Sequence, residues 1–272
     1  MINLNGSLIN NSSTILTAEN RAFKYGDALF ETLKVTDLKI HFLEDHYFRL
    51  MASMRMIRME IPLNFTMEFF EEEILNTVKA VGLTTSRVRF TVFRNDGGLY
   101  APKTNEISYL IHANELNSSI KQGYSLELFK DYYIFSGLLS TIKTTNKIVN
   151  VLAAIFAEEN EYDNCVLLNE KKNIVEVLNG NIFLVFGTTI KTPAITEGCI
   201  KGIIRKKIIE VLSKNKEYTI EETEISPFEL QKADEVFITN AIVGVQPVHF
   251  YKKMVYKSSV TEKINEWLNQ LV

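Results

Sequence analysis

A polar segment near the middle of the chain constrains its fold more than any other feature. The segment runs from Ala113 to Gly123, is rich in asparagine and serine, and separates two strongly apolar stretches. Such a run between apolar segments is typical of a surface loop, and 272 residues are enough for two modest domains. We therefore predict an N-terminal domain at residues 1–113, an interdomain linker at 114–123 and a C-terminal domain at 124–272.

Hydrophobic periodicity predicts helices and strands on both sides of this linker. Polar and apolar residues alternate over 87–93, which is typical of a half-buried strand in an antiparallel sheet. Helices are predicted at about 43–58, 66–81, 145–160, from 202 onward and at 260–271. Further strands are predicted at 125–129, 165–168, 173–175, 181–185 and 234–239, the second and third of these forming a hairpin. The helix at 145–160 carries one apolar stripe: Ile148, Val151, Leu152, Ile155 and Phe156. The pattern indicates a mixed α/β (α+β) fold.

Composition excludes several classes of function. The net charge of −3 lacks the basic surplus that is typical of nucleic-acid binding. No apolar run is long enough to span a membrane, and the first residues lack the pattern of a signal peptide. Neither Cys165 and Cys199 nor the four histidines have the spacing of a disulfide framework or a zinc site. We expect a cytoplasmic protein that acts on a small molecule and binds no metal.

Four features together indicate a cofactor site. Lys143 lies just ahead of a predicted helix and could supply a reactive amine, although most lysines are solvated surface charges. Glu176, in the predicted hairpin, could hold a proton on a ring nitrogen, although such carboxylates are commonly solvated. The loop from Gly198 to Arg205 runs into a helix, where backbone N–H groups and the helix dipole favour phosphate. Arg49 could add a charge-assisted contact to that phosphate. This combination suits pyridoxal 5'-phosphate (PLP).

Six segments occur in an order that resembles the class IV family of PLP enzymes. This family includes branched-chain and D-amino acid aminotransferases and aminodeoxychorismate lyase. The segments span nearly the whole chain: Arg21 to Thr32, His46 to Leu50, Ile142 to Asn146, Glu176 to Phe183, Gly202 to Arg205 and Ala233 to Val236.

The resemblance implies a two-lobed fold, called fold type IV, with a smaller N-terminal α/β domain and a larger, β-rich C-terminal domain flanked by helices. It implies a cofactor in the cleft between the lobes, usually in a homodimer. It assigns Lys143 as the lysine that forms a Schiff base, Glu176 as the partner of the pyridine nitrogen, and Arg49 with the amides of Ile203 and Ile204 as the phosphate ligands.

Other residues of the motifs receive roles by the same resemblance. Asn179, Gly180 and Asn240 are expected to contact the cofactor. Lys147 is the rival to Lys143 as the reactive amine, because it lies one helical turn later. We prefer Lys143 because its Lys-x-x-Asn context matches the family's motif.

Several residues bear on which reaction the protein catalyses. Many aminotransferases of the family have threonine at the place of Ile204, where lyases tolerate an apolar residue. The pair Asn240-Ala241 is similar to the lyases, although asparagine also favours an ordinary turn after a strand. The loop from Arg94 to Tyr100 resembles the lyases as well, and Arg94 and Lys147 would suit a substrate with two carboxylates.

We therefore expect a lyase that converts 4-amino-4-deoxychorismate to 4-aminobenzoate and pyruvate, in folate precursor synthesis. The residues expected to bind this small-molecule amine are Phe30, Arg94, Tyr100, Lys147, Asn240 and Ala241. Lys143 would act as the base that removes a proton from the amine-bearing carbon. The alternative is a class IV aminotransferase, in which the same residues serve, and the third possibility is a non-catalytic protein that keeps the fold as a binding module.

Overall fold

The chain forms two compact units in a computed structural model that describes residues 1–10, 16–117 and 119–271. Unit 1 comprises Met1–Asn117 and Lys143–Asn146, and unit 2 comprises Ser118–Ile142 and Lys147–Val272. The chain thus enters unit 2 within the predicted linker, of which Ser118 lies outside the described residues. The four-residue segment Lys143–Asn146 returns to unit 1, a feature that the predicted domain boundaries do not include.

Unit 1 is built on a six-stranded sheet with two long helices packed against it. The strands are β1 (Ile2–Leu4), β2 (Ser7–Ile9), β3 (Ala28–Thr36), β4 (Lys39–Ile40), β5 (Ser86–Arg94) and β6 (Ile107–Glu115). Their order is β2-β1-β6-β5-β3-β4, and neighbours pair antiparallel. The helices are α1 (Arg21–Tyr25), α2 (Leu43–Met56) and α3 (Met67–Ala80). Helix α2 packs on β3, and α3 packs on β5 and β6.

The predicted strand at 87–93 is confirmed as β5, which lies between β3 and β6. The predicted helix at 66–81 is confirmed as α3, which begins where the Thr66 side chain accepts a hydrogen bond from the Phe69 N–H. The helix predicted at 43–58 ends at Met56, because Arg58 has a φ of 58° and turns the chain. The strand β3 was not predicted from periodicity. Its core-facing positions include the charged residue Glu31, which interrupts the apolar pattern.

Unit 2 contains two five-stranded sheets and three longer helices in its described residues. One sheet has the order β12-β11-β10-β13-β14 and the other β16-β15-β7-β8-β9. The strands are β7 (Ser125–Leu128), β8 (Asn164–Leu168), β9 (Ile174–Val177), β10 (Asn181–Phe186), β11 (Thr189–Pro193), β12 (Thr219–Thr223), β13 (Glu235–Asn240), β14 (Gly244–Val248), β15 (Phe250–Tyr251) and β16 (Met254–Val255). The helices are α4 (Ile148–Glu159), α5 (Ile203–Lys214) and α6 (Ser259–Asn269).

The elements predicted for this part of the chain are present, and the hairpin is confirmed as β8 and β9. Helix α4 differs from the prediction in its buried face. It meets the core of unit 2 through Ala153 and Ala157, whereas Ile148, Val151 and Ile155 are 68%, 50% and 46% exposed. The apolar stripe predicted from the sequence is therefore only partly a core-facing stripe.

The whole is a mixed α/β fold, as predicted, with the β-rich part in unit 2. Across the residues with assigned structure, no helix has the length and apolar character to cross a bilayer. The same residues contain no group of three or more histidine, cysteine, aspartate or glutamate side chains placed to hold a metal ion.

Candidate active site

The backbone of Lys143 is paired with the start of β3 in unit 1. The Phe30 N–H donates to the Lys143 carbonyl oxygen at 2.9 Å, and the Thr145 N–H donates to the Ala28 carbonyl oxygen at 3.0 Å. The Asn146 Nδ2 donates to the Gly26 carbonyl oxygen at 3.0 Å. The asparagine of the Lys-x-x-Asn motif thus ties the lysine segment to the residues before β3, and the backbone that carries the lysine is fixed.

The side chain of Lys143 contacts an aromatic ring that a second cation shares. Its Nζ lies 4.2 Å from the centroid of Phe30, and the Arg89 guanidinium carbon lies 3.7 Å from the same centroid. Both distances are within the range of cation–π attraction. The structure thus brings Phe30, a predicted substrate residue, to the predicted reactive lysine. The rival Lys147 belongs to unit 2, where it precedes α4 and its carbonyl oxygen accepts from the Val151 N–H.

The residue after Phe30 is a buried carboxylate that holds Arg49. Glu31 Oε1 accepts from Arg49 Nε at 2.8 Å, Oε2 accepts from an Arg49 Nη, and His46 Nδ1 lies 2.7 Å from Oε2. Burial raises the pKa of Glu31, but the charge of Arg49 and the hydrogen bonds from His46 and Arg49 outweigh burial and lower this pKa to about 2. Burial lowers the pKa of His46 and outweighs the opposing effect of Glu31. Arg49 is therefore paired with an ionised carboxylate.

Arg94, which the resemblance suggests as a substrate ligand, is a buried residue whose guanidinium is engaged within unit 1. It is 6% exposed, and its guanidinium donates to Asp27 Oδ2 at 2.9 Å and to the carbonyl oxygens of Ile57 and Arg58 at 2.7 and 3.2 Å. Its donors are directed into unit 1. Asp27 is shared with Arg21, which also donates to the backbone of the loop that Arg94 begins. At the end of that loop, Tyr100 is 90% exposed.

Sequence reasoning missed a row of cations on the sheet of unit 1. Lys34 lies opposite Arg87, and Arg89 lies between Thr32 of β3 and His112 of β6. Like charges directly opposite each other on one face destabilise a sheet. An anion bound on this face would offset the repulsion between Lys34 and Arg87. On this face, the described residues of β3 from Phe30 to Lys34 include no acidic side chain. The residues paired with them on β5 and β6 include none either. The alternation over 87–93 contained the signal, since two of its polar positions are arginines.

In unit 2, the predicted acid is a buried side chain on β9. Glu176 is 4% exposed, and its Oε2 accepts from the Ile200 N–H at 2.9 Å. The solvated carboxylate that a hairpin glutamate commonly presents is therefore absent at this position. A carboxylate held in low dielectric by a backbone donor can pair with a protonated ring nitrogen.

The start of α5 presents backbone N–H groups without a side-chain cap. Gly202 is the N-cap residue, and its position provides no side-chain hydrogen bond to the first turn, whose N–H groups have no partner within the helix. Asn181 Nδ2 donates to the Ile200 carbonyl oxygen at 2.9 Å. A Cβ on residue 202 would lie 2.0 Å from Asn181 Oδ1, so Asn181 or the start of the helix would have to shift to admit a larger residue. The Lys201 N–H also donates to the Thr141 carbonyl oxygen, two residues before Lys143 in the chain.

The loop after Glu176 meets the end of β13. A Cβ on Gly180 would lie 2.3 Å from the Thr239 carbonyl oxygen, so the two backbones touch. Asn240 Oδ1 accepts from the N–H groups of Ile242 and Val243 at 3.0 and 2.9 Å, which makes the turn that asparagine commonly forms after a strand. Unit 2 therefore brings Gly180 and Asn240 together, and Ala241 follows in the same turn.

Comparison with known proteins identifies the class of this protein. Residues 28–251 match the family described as amino-transferase class IV, and the chain belongs to that family. It is therefore an enzyme, and its cofactor is PLP. A non-catalytic binding module is not supported.

Its relatives are named for two different reactions. The chain is 27% identical to a putative branched-chain-amino-acid aminotransferase of Methanocaldococcus jannaschii, covering 97% of this chain and 94% of that protein. It is 25% identical to an aminodeoxychorismate lyase of Vibrio harveyi, covering 84% of each. It shares its fold with a branched-chain aminotransferase of Thermoproteus uzoniensis, with a TM-score of 0.90, 23% identity, and coverage of 99% of this chain and 93% of that one. The comparisons thus define the family and leave the reaction to the chemistry of the site.

Proposed function

We propose that this protein is a PLP-dependent lyase that converts 4-amino-4-deoxychorismate to 4-aminobenzoate and pyruvate, a step in the synthesis of folate precursors. The observation that carries this proposal is the row of cations formed by Lys34, Arg87 and Arg89. That substrate has two carboxylates, and several cations on one face can bind them. Arg89 and Lys143 contact the same Phe30 ring, so a carboxylate bound at Arg89 would lie near the reactive amine.

The residues present fit the cofactor. Glu176 supplies a buried carboxylate for the ring nitrogen, and the twelve-residue helix α5 begins with a glycine and no side-chain cap. We assign the amides of Ile203 and Ile204, together with Arg49, to the phosphate. Asn179, Gly180 and Asn240 are assigned to the surroundings of the ring. PLP, when bound, supplies an electron sink for the charge that develops when a proton leaves carbon.

Lys143 performs the proton transfers in this proposal. Its amine would hold the cofactor in the absence of substrate. Lys143 then removes the proton from the amine-bearing ring carbon of the substrate. The C–O bond to the enolpyruvyl group breaks, the ring becomes aromatic, and the leaving group takes up a proton to become pyruvate. Ile204 offers no hydroxyl at the start of α5, and the turn at Asn240-Ala241 matches the lyase pattern.

A class IV aminotransferase is the second candidate, favoured by the names of relatives such as the one from Methanocaldococcus jannaschii. In that reaction Lys143 would return the proton to the cofactor, and no C–O bond would break. The two reactions differ in their products and not in the residues that start them.

We also propose that the protein is a homodimer through unit 2. Three apolar residues of α4, Ile148, Val151 and Ile155, are exposed, as are Leu138 and Leu139 in the turn that leads toward Lys143. Ile148, Val151 and Ile155 are three and four residues apart and so share one face of the helix, and exposed apolar faces are typical of subunit interfaces. A two-fold axis would cover the same surface on both copies.

The reaction is tested by supplying purified holoenzyme with aminodeoxychorismate and, separately, with pairs of amino acids and keto acids. Formation of 4-aminobenzoate and pyruvate in equal amounts is expected. Transamination without 4-aminobenzoate would assign the protein to the aminotransferases. A Lys143→Ala variant is expected to lose the visible absorption band that borohydride abolishes, whereas Lys147→Ala is expected to keep it.

A further inference from the structure

We propose that Glu31 is a positioning residue that orients the guanidinium of Arg49 for the phosphate of the cofactor, and that His46 orients Glu31 in turn. This inference rests on the proposed function, in which Arg49 is a phosphate ligand. It concerns binding of the cofactor and not the chemistry of Lys143.

The contact between Glu31 and Arg49 fixes the plane of the Arg49 guanidinium. The carboxylate receives Nε at 2.8 Å on one oxygen and an Nη on the other. A guanidinium is planar and has five N–H donors, so pairing along one edge sets the direction of the remaining donors. Arginine side chains are otherwise flexible and lose rotamer entropy when they bind an anion. An Arg49 side chain that is already oriented loses less rotamer entropy when it binds phosphate.

His46 adds direction without adding charge. Its Nδ1 lies 2.7 Å from Glu31 Oε2, and both side chains are almost fully buried. An ionised carboxylate can only accept hydrogen bonds, so Nδ1–H donates to it. Burial lowers the pKa of His46, which favours the neutral ring. The Nε2 atom is buried with no hydrogen-bond partner among the described residues. Two side chains, His46 and Arg49, thus hold the Glu31 carboxylate in place. The single negative charge of Glu31 balances the single positive charge of Arg49.

A purely structural role does not account for a charge at this position. Glu31 is a core-facing residue of β3, flanked on the same face by Leu29 and Leu33, which are also buried. Apolar residues in place of a buried ion pair are commonly neutral or stabilising. The carboxylate follows Phe30, which holds Lys143 through its backbone and ring. Residues 30 and 31 therefore prepare two proposed cofactor ligands from adjacent positions.

The test compares PLP with pyridoxal, which lacks the phosphate. Dissociation constants of both compounds are measured by titration of cofactor-free protein, for the wild type and for Glu31→Gln, Arg49→Gln and Glu73→Gln. Glu73 is the matched control, because it is another carboxylate of unit 1 that accepts hydrogen bonds from Asn3 and Tyr109. For Glu31→Gln we expect PLP affinity to fall by about tenfold or more, as when a charge-assisted hydrogen bond is lost, and pyridoxal affinity to stay close to that of the wild type.

Failure of the inference is distinguishable from failure of the proposed function. If Arg49→Gln abolishes the preference for PLP over pyridoxal and Glu31→Gln does not, the inference is wrong and the role of Arg49 stands. If Glu31→Gln lowers the affinities for PLP and pyridoxal equally, Glu31 is structural only. The same holds if Glu31→Gln changes these affinities no more than Glu73→Gln does. If Arg49→Gln leaves the preference unchanged, the phosphate assignment itself is wrong, and the inference falls with it.

A second variant keeps the test decisive if Glu31→Gln does not fold. Glu31→Asp retains the charge but shortens the side chain, so it cannot reach both Arg49 nitrogens in the same geometry. We expect it to fold and to lose part of the preference for PLP. An unchanged preference in Glu31→Asp would overturn the inference.

Discussion

Phe30 holds Lys143 at both ends. The Phe30 N–H donates to the Lys143 carbonyl oxygen at 2.9 Å, and the Phe30 ring lies 4.2 Å from the Lys143 Nζ. One residue of β3 thus fixes the backbone of the lysine and directs its amine. The two residues are far apart in sequence, so this relationship depends on the return of the chain to unit 1 at Lys143–Asn146.

The ring of Phe30 is expected to contribute to catalysis by directing that amine. A Phe30→Leu variant keeps the backbone hydrogen bond but removes the cation–π contacts. Since such contacts contribute about 1–2 kcal/mol when partly buried, we expect kcat to fall by about tenfold with little change in the thermal midpoint. Phe48→Leu is the control, because Phe48 is an exposed residue of α2. Equal kinetics in the two variants would show that the ring has no such role.

A methyl group at residue 202 is expected to disturb the phosphate site. In Gly202→Ala the new Cβ would lie 2.0 Å from Asn181 Oδ1, so the helix start or Asn181 must move, at a cost of about 1–3 kcal/mol. Calorimetry should find a lower midpoint, and titration should find weaker PLP binding. Gly137→Ala is the control, since its new Cβ would lie at an ordinary contact distance of 3.4 Å from the Phe135 ring. Adding Asn181→Ala should restore part of the lost stability, and no recovery would mean that the clash lies elsewhere.

The fold could be predicted from the sequence wherever the pattern is local. The strand β5 and the helix α3 follow from alternation and helical spacing. The strand β3 could not be predicted in this way, because Glu31 occupies a core-facing position. The buried face of α4 was also not predictable, since Ile148, Val151 and Ile155 are as apolar as core residues but lie exposed.

The candidate site was predictable as a set of residue types and not as an arrangement. Motifs identified Lys143, Glu176 and Arg49, yet the pairing of the Lys143 segment with β3 joins parts of the chain more than a hundred residues apart. Arg94 and Arg89 are alike in sequence, as two arginines of one strand. Register and burial separate them, because Arg89 is on the open face of the sheet and Arg94 is engaged by Asp27.

Acid is expected to destabilise the protein through Glu31. Although burial opposes ionisation, Arg49 and His46 lower the pKa of Glu31 from 4.5 to about 2 in the folded state. A depressed pKa stabilises the fold above the unfolded value, and the contribution, about 3 kcal/mol, is lost as the pH falls from about 4.5 to about 2. Urea unfolding of the wild type and Glu31→Gln across this window should give a steeper loss for the wild type. Parallel curves would mean that Glu31 does not carry this dependence.

The lowered pKa of His46 also makes the folded protein less stable as the pH falls, but at a higher pH than Glu31 does. Burial lowers it in the folded protein, ahead of the opposing effect of Glu31. The unfolded chain therefore takes up a proton on His46 first, and stability declines as the pH falls below the ordinary value of 6.5. The loss of stability attributable to this residue thus begins before that attributable to Glu31.

The exposed face of α4 is expected to hold two copies of the chain together. A charge placed there by Ile155→Glu would have to be buried in the interface, so we expect dissociation into monomers in sedimentation equilibrium. Val255→Glu is the control, because Val255 is also apolar and exposed but lies on β16. A wild-type protein that is monomeric at micromolar concentration would contradict the proposed dimer, and dissociation of both variants would argue against an interface at α4.

Substitution of Arg89 and of Arg94 by glutamine is expected to have different effects, the first on kinetics and the second on stability. Arg89 is exposed and contacts Phe30, so Arg89→Gln should leave stability within about 0.5 kcal/mol of the wild type. Its kcat/KM for a substrate with two carboxylates should fall by about tenfold or more, as for loss of a charged hydrogen bond. Arg94→Gln breaks a buried pair with Asp27, and such a loss destabilises by about 3–5 kcal/mol. Thermal unfolding and steady-state kinetics on both variants separate the two roles. If Arg94→Gln is stable and has lost only substrate affinity, then Arg94 is a substrate ligand after all, and the cations that select the substrate extend along β5 to its last residue.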